Sequence, residues 1–278
     1  MESTKNCNNY PKRVFGSELA PESFFVPVRS SKEVPSSANS IISLLNTYGV
    51  AVVEFEENES ARQQLLCFGQ LFGNTMRHDR SDDDGIAEVA VIDESSVYPG
   101  VSSRAYTFHT DGSYDENPPP IVALRCEIPA RRGGVTQLAS GKKLHEWLLS
   151  KDRAALETLY EKDSLSIKRA GKSFSGAVFT EYSGNRVRLR YRSDEAALAS
   201  DSQKTQKAIN LVQDFLSEEE NLVSFELGAR QVLLTDNFTV LHGRTAFGAD
   251  DPRRMHRLWF DRLSSNNDEV CVGFIANK

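Results

Sequence analysis

The sequence predicts an α+β fold. Three observations lead there. Helical spacing of apolar residues is confined to four stretches. Most strand-like text lies after residue 105. Helices and strands do not alternate in the regular way that builds a doubly wound parallel sheet. The 278 residues suffice for a sizeable core, and neither an internal repeat nor a linker divides them. A single domain over 1–278 is therefore expected, with 1–35 as an N-terminal arm and helical insertions at 141–162 and 201–219.

The elements follow in order. Residues 1–35 carry Pro11, Pro21, Pro27 and Pro35 and no clear period, apart from a short strand at Phe24–Val28. Ser37 can cap a helix whose Ile41, Ile42, Leu44, Leu45 and Tyr48 share one side, and Gly49 stops it. Val50–Phe55 is β-branched and reads as a buried strand. Residues 60–72 repeat the helical pattern up to Gly73. Residues 79–104 are polar and broken by Gly85, Pro99 and Gly100, with one strand at Glu88–Ile92. This segment reads as a lid. Ile121–Cys126 is an apolar strand, and 164–192 alternates in the strand manner. Helical text occupies 141–162, and 201–219 forms an amphipathic helix with Ala208, Ile209, Val212, Phe215 and Leu216 on one stripe. Residues 222–263 and 269–275 read as strands.

Composition narrows the function. Hydrophobic residues make up 39% and charged residues 26%, as in a globular protein. With 33 basic and 39 acidic side chains the net charge is −6, which argues against a nucleic-acid partner. No apolar run approaches the roughly 18 residues of a membrane span, and Met1–Asn9 lacks the apolar core of a signal peptide. Cys7, Cys67, Cys126 and Cys271 lie far apart without a C-x-x-C pair. Neither a zinc knuckle nor a disulfide framework is expected, and the reading is a reduced, cytoplasmic protein.

Several motifs fail. Ala170-Gly171-Lys172-Ser173 resembles the end of a phosphate-binding loop, but the required upstream glycine is Ser166. A calcium loop at Asp82-Asp83-Asp84-Gly85 would start at Arg80 and end at Val91, neither a ligand. No G-x-S-x-G elbow supports a serine hydrolase.

The five histidines carry more. In His109-Thr110-Asp111, residues i and i+2 of an extended strand point to one side, so an imidazole and a carboxylate face one point. A third ligand would complete two histidines and one carboxylate on one face of an octahedron. That leaves three positions for dioxygen and a bidentate cosubstrate, as a non-haem iron(II) oxygenase needs. His242 ends the strand-like run Thr239-Val240-Leu241-His242 after the turn signal Asp236-Asn237 and is the natural candidate. In Arg253–Phe260, Arg253, Met255, Arg257 and Trp259 share one strand face. Two arginines four apart on a core strand suit carboxylates, which guanidinium matches with two prongs.

The chain resembles the Fe(II)/2-oxoglutarate-dependent dioxygenases of the taurine dioxygenase (TauD/TfdA) and clavaminate synthase-like group. The resemblance covers most residues after about 45. It rests on Phe108-His109-Thr110-Asp111-Gly112-Ser113-Tyr114 followed by Pro118-Pro119, on Gly133-Gly134-Val135-Thr136, on Asp236-Asn237 through Leu241-His242-Gly243-Arg244-Thr245, and on Arg253, 11 residues after His242. It implies a double-stranded β-helix (jelly-roll) core with flanking helices. It implies Fe(II), 2-oxoglutarate and O2 as cofactors and cosubstrates. By position it implies His109, Asp111 and His242 as iron ligands, and Arg253 and Thr136 on the distal carboxylate of 2-oxoglutarate. Arg257 and, more loosely, His78 would face substrate. His145 and His256 receive no role. The carboxylate at 111 leaves no room for a halide, so hydroxylation, desaturation or cyclisation is expected. The substrate would be a small acid or amino-acid-like molecule, with natural-product biosynthesis as setting and sulfonate or small-acid scavenging as the alternative. A non-catalytic metal-binding jelly-roll would have lost a ligand or the arginine, and all are present.

Overall fold

The computed structural model describes residues 7, 10–96, 98–182, 185–198, 200–261 and 270–277. The chain runs through β1 (Phe25–Val28), α1 (Ala38–Tyr48), β2 (Val50–Phe55), α2 (Ala61–Leu66), α3 (Gly69–Phe72), β3 (Thr75–Met76) and β4 (Ala87–Ala90). It continues through β5 (Tyr106–His109), β6 (Ile121–Ile128), β7 (Thr136–Ser140), α4 (Gly141–Lys151), α5 (Arg153–Leu159), β8 (Leu165–Arg169), β9 (Lys172–Gly176) and β10 (Phe179–Tyr182). Then come β11 (Arg186–Leu189), β12 (Ala197–Leu198), α6 (Gln203–Ser217), β13 (Leu222–Phe225), β14 (Gln231–Asp236), β15 (Val240–Arg244), β16 (Arg254–Phe260) and β17 (Phe274–Ile275).

The large sheet has the order β1-β2-β14-β6-β16-β3, with β4 also paired to β16. Its β1–β2 pair is parallel, and its other pairs are antiparallel. The small sheet has the order β13-β7-β15-β5. Two further three-stranded sheets, β12-β8-β9 and β10-β11-β17, extend the structure.

Alternation along β2 and β14 explains the layering. Val50, Val52 and Leu233 pack with Leu138 and Val240 of the small sheet, filling the space between the sheets. Their neighbours Ala51, Val53, Phe55, Val232 and Leu234 pack on the other side with residues of α1–α3, including Ile41, Leu45, Leu65 and Phe68. A strand buried on both faces reads as a continuous apolar run, as VAVVEF does. A third cluster joins Ala139, Leu222 and Leu241 of the small sheet to Leu144, Leu148, Leu156, Val212 and Phe215 of α4–α6.

Helix boundaries follow local chemistry. Gly49, at φ 79°, ends α1 and donates its N–H to Leu45 O. The helical stretch predicted over 60–72 is two helices. Ser60 Oγ caps α2, and the break falls where Phe68 N–H bonds to Leu65 O while its ring stacks on Phe72. The stretch 141–162 is broken at Asp152, which is extended and whose Oδ1 caps α5 at Ala155 N–H. Ser202 caps α6. In the segment read as a lid, Ala87–Ala90 is built into the large sheet against β16. Of the strand expected at 269–275, Phe274–Ile275 is observed; residues 262, 263 and 269 lie outside the described residues.

One expectation is overturned. Cys7 and Cys271 form a disulfide across 264 residues of sequence. Separation along the chain says nothing about separation in space once an arm returns to the other end of the fold. Lys12 Nζ pairs with Asp236 and donates to Cys271 O, and Arg186 donates to the carbonyls of Cys7, Tyr10, Val272 and Gly273. These contacts bring the two cysteines together. Cys67 and Cys126 are free thiols. Such a bridge persists under oxidising conditions, so the cysteines give no support to a reduced compartment. Among the described residues no helix is long and apolar enough to cross a membrane.

Candidate active site

β5 and β15 are antiparallel neighbours, and His109 and His242 are directly paired across them. Asp111 lies two residues beyond His109, at a turn where Gly112 takes φ 61°. A Cβ at Gly112 would come 2.8 Å from Pro119 Cδ, so glycine suits both the conformation and the space. The three side chains converge. His109 Nε2 and His242 Nε2 lie 3.5 and 3.7 Å from Asp111 Oδ1, with His109 and Asp111 almost fully buried.

The protonation pattern fits a cation site. His109 Nδ1 is 2.8 Å from Thr107 O, so the proton is assigned to Nδ1 and the Nε2 lone pair faces Asp111. Burial, aided by His242, pushes His109 down to about 3, so the ring is neutral at ordinary pH. Burial alone would raise the Asp111 carboxyl, yet it is held well below the usual range, and the Arg257 guanidinium beside it is the largest opposing influence. A carboxylate and a histidine lone pair at 3.5 Å repel unless a cation lies between them. The nitrogen Nε2 of His109 is buried without a hydrogen-bond donor. The donor set and its spacing, all within 4.8 Å, fit a divalent metal bound by two imidazoles and one carboxylate.

Two side chains of β16 orient the carboxylate. Arg257 Nη1 donates to Asp111 Oδ1 at 3.1 Å, and Trp259 Nε1 donates to Oδ2 at 2.8 Å. Asn237 fixes the backbone: Asp111 N–H donates to its Oδ1 at 2.8 Å, and its Nδ2 donates to Asp111 O and Pro119 O at 2.9 and 2.8 Å. Tyr106 stacks on His109 with centroids 3.8 Å apart.

Deeper between the sheets lies a buried cation. Arg253 is 4% exposed, its Nε has no hydrogen-bond partner, and among the described residues no carboxylate forms a salt bridge with it. Burial pushes its guanidinium down to about 10. Gly134, at φ 64°, passes so close that a Cβ would meet Arg253 Cδ and Nε at 3.3 Å. Thr136 lines the same cavity. Arg244, beside them, donates to Ser102 O and Arg104 O. An unpaired buried guanidinium is costly, and an incoming carboxylate removes that cost. The residues therefore fit the distal carboxylate of a small dicarboxylate.

One cleft of about 990 Å³, open mouth included, joins these parts. It is lined by His109, Asp111, His242, Arg253, Thr136, Arg257 and His78, so all seven residues singled out from sequence meet in it. His78 Nδ1 accepts from Arg80 N–H, so Nε2 donates to Tyr114 Oη at 3.0 Å, with the ring edge-on to Trp259. Burial pushes His78 down to about 4. His145 contacts Tyr160, and His256 pairs with Glu127, away from the cleft. Arg257, expected to face substrate, is engaged with Asp111. Sequence reasoning gave Asn237 and Trp259 no role, although the turn signal and the shared strand face marked both. Arg80, Arg169, Arg192, Tyr98 and Tyr106 also line the cleft, and no sequence motif announced them.

Residues 16–259 match the family described as taurine catabolism dioxygenase TauD, TfdA family. The chain belongs to that family, and it is an Fe(II)/2-oxoglutarate-dependent dioxygenase. Among solved structures, an asparagine oxygenase in complex with Fe(II), 2S,3S-3-hydroxyasparagine and succinate superposes with a TM-score of 0.64 at 16% identity, covering 84% of this chain and 79% of that one. A taurine dioxygenase from Burkholderia xenovorans gives 0.64 at 18%, covering 90% and 89%. The non-heme iron oxygenase OrfP, with Fe and alpha-ketoglutaric acid, gives 0.62 at 14%, covering 87% and 90%. These matches bear out the α+β fold with its jelly-roll core. No curated protein sequence matches the chain.

Proposed function

We propose that His109, Asp111 and His242 hold the iron, that Arg253 and Thr136 receive 2-oxoglutarate, and that the enzyme oxidises a small acidic or amino-acid-like substrate. The single observation that carries this is the shared cleft. Three converging lone-pair donors open into the same space as a buried, unpaired guanidinium. When bound, the iron and 2-oxoglutarate supply the oxidising chemistry: dioxygen is consumed, succinate and carbon dioxide are released, and a C–H bond of the substrate is oxidised.

The chain's residues hold and orient. Asn237, Arg257 and Trp259 fix Asp111, and Thr107 O fixes the His109 tautomer, so both ligands are set before metal arrives. With Asp111 present as a ligand, the outcome is hydroxylation, desaturation or cyclisation. Once a metal dication shares Asp111, Arg257 keeps charge to offer an acidic group of the substrate. The segment read as a lid contributes Arg80, Val89, Tyr98 and Gly100 to the wall of the cleft.

The solved structures carrying hydroxylated amino acids, 3-hydroxyasparagine and (3S)-hydroxy-L-Arg, support an amino-acid-like substrate in a biosynthetic tailoring step. The taurine dioxygenase supports the alternative, scavenging of a sulfonate or other small acid. The test is a panel of amino acids, sulfonates and carboxylic acids, scored by succinate formed above the substrate-free rate. Acceleration by acidic members, and none by neutral analogues of the same length, supports the reading. Acceleration by no acidic member of the panel overturns it.

A further inference from the structure

The cleft holds more positive charge than the cosubstrate and one acidic group require. Besides Arg253 and Arg257, two arginines converge on Tyr98 at the outer part of the cleft. The Arg80 guanidinium lies 5.5 Å from the Tyr98 ring centroid, and that of Arg169 lies 5.8 Å from it.

Neither charge is fully answered. Among the described residues the Arg80 guanidinium has neither a hydrogen bond nor a salt bridge. The nearby carboxylates are committed elsewhere: Asp79 pairs with Lys172 at 2.9 Å, and Glu88 pairs with Arg254 on the outer face of β16 at 3.1 Å. Arg169 is 5% exposed and shares one carboxylate, Asp194, with Arg192. Two guanidiniums on one carboxylate leave a surplus positive charge. Arg192 also donates to Ser113 Oγ and Tyr106 Oη, whereas Arg169 Nε is buried without a partner, so the unsatisfied donor of the pair is on Arg169. Burial and the charge of Arg257 both press the Arg80 guanidinium below its ordinary value, as expected of a cation awaiting an anion.

The placement is built. Ala170 and Gly171, at φ 48° and 81°, make the two-residue turn that joins β8 to β9. This absorbs the Ala170-Gly171-Lys172-Ser173 motif. It sets Arg169 at one end of the turn and Lys172 at the other, where Lys172 bridges Asp79 and Asp115 and so ties the Arg80 loop to the hairpin. Among the described residues the only carboxylates lining the cleft are Asp111, the proposed metal ligand, and the outward-paired Glu88. Nothing acidic among the described lining residues is free to receive a substrate ammonium group.

We infer that Arg80 and Arg169, flanking Tyr98, form a second anion subsite, so that the substrate carries two acidic groups, one near Arg257 and one near Tyr98. This rests on the acidic-substrate reading above and narrows it.

The test is equilibrium binding by anaerobic calorimetry to protein loaded with Fe(II) and saturating 2-oxoglutarate. The probes are matched pairs: adipate against hexanoate, and suberate against octanoate. In the wild type the dianion is expected to bind at least about tenfold more tightly than its monoanion, as one charge-assisted contact implies. In Arg80→Gln that ratio is expected to fall towards one. The ratio, not the absolute affinity, is the readout, so a general loss of folded protein cancels. Arg77→Gln, at an exposed arginine paired with Asp83, is expected to keep the ratio. A wild-type ratio near one with clear monoanion binding overturns the subsite and leaves the acidic-substrate reading standing. A ratio that persists in Arg80→Gln also overturns the subsite. Binding of neither member of a pair overturns the acidic reading and the subsite with it.

Discussion

Replacing Asn237 by alanine tests how the site is held. The side chain is 1% exposed and makes three hydrogen bonds of 2.8–2.9 Å, one to Asp111 N–H and two to the carbonyls of Asp111 and Pro119. Alanine strips all three from backbone groups that water does not reach. At about 1 kcal/mol or more for each buried group left unsatisfied, the expected loss is roughly 3 kcal/mol of folding stability. Asp111 would also lose the clamp that sets its backbone, and removal of such an outer support typically lowers metal affinity by roughly 10- to 100-fold. Asn237→Asp separates this account from a volume effect. It keeps an acceptor for Asp111 N–H but sets a carboxylate oxygen against two carbonyls, so it should not rescue. Urea unfolding of the metal-free protein measures the first effect and anaerobic metal titration the second. An alanine variant within about 1 kcal/mol of wild type, with unchanged metal affinity, would refute the reasoning.

Other outcomes follow from the same geometry. Arg253→Met should weaken 2-oxoglutarate binding by at least roughly tenfold while leaving metal-free stability equal or higher, because an unpaired buried guanidinium is lost; a marked loss of stability would contradict this. His145 is pushed down to about 4 by burial, against 6.5 in the unfolded chain. The unfolded state therefore takes up the extra proton between those values, and stability falls as pH drops from 6.5 towards 4. His145→Gln should flatten that slope by about 1.4 kcal/mol per pH unit, measured as unfolding midpoint against pH. Reducing the Cys7–Cys271 bridge, or Cys7→Ser, should cost roughly 2–5 kcal/mol; an unchanged midpoint would show that Lys12 and Arg186 hold the arm by themselves.

Local pattern carried the ligands further than the surroundings. The i, i+2 spacing of His109 and Asp111 was legible in three residues, but the strand ends at His109 and it is the following turn that brings Asp111 round. The pairing of His242 with His109 is a contact between distant strands, and motif order stood in for geometry there. The face shared by Arg253, Arg257 and Trp259 was legible from strand period, and His256 does fall on the opposite side against Glu127. Trp259 was on the right face, yet its hydrogen bond to Asp111 depends on how two sheets meet. Asn237 was visible as a turn residue and not as a clamp, because its partners lie 118 and 126 residues away. Arg80, Arg169 and Arg192 come from a loop, a hairpin and the stretch after β11, and no period links them. The disulfide was missed for the same reason: the fold, not the spacing, brings residues 7 and 271 together.

The most direct test of the central claim is an anaerobic titration of the metal-free protein with Fe(II) and 2-oxoglutarate, watching for the visible iron-to-cosubstrate charge-transfer band. The account predicts the band in wild type and its loss in His109→Ala and in His242→Ala. Folded wild-type protein that binds iron but never shows the band, or variants that retain it, would contradict the assignment of this cleft as the iron and 2-oxoglutarate site.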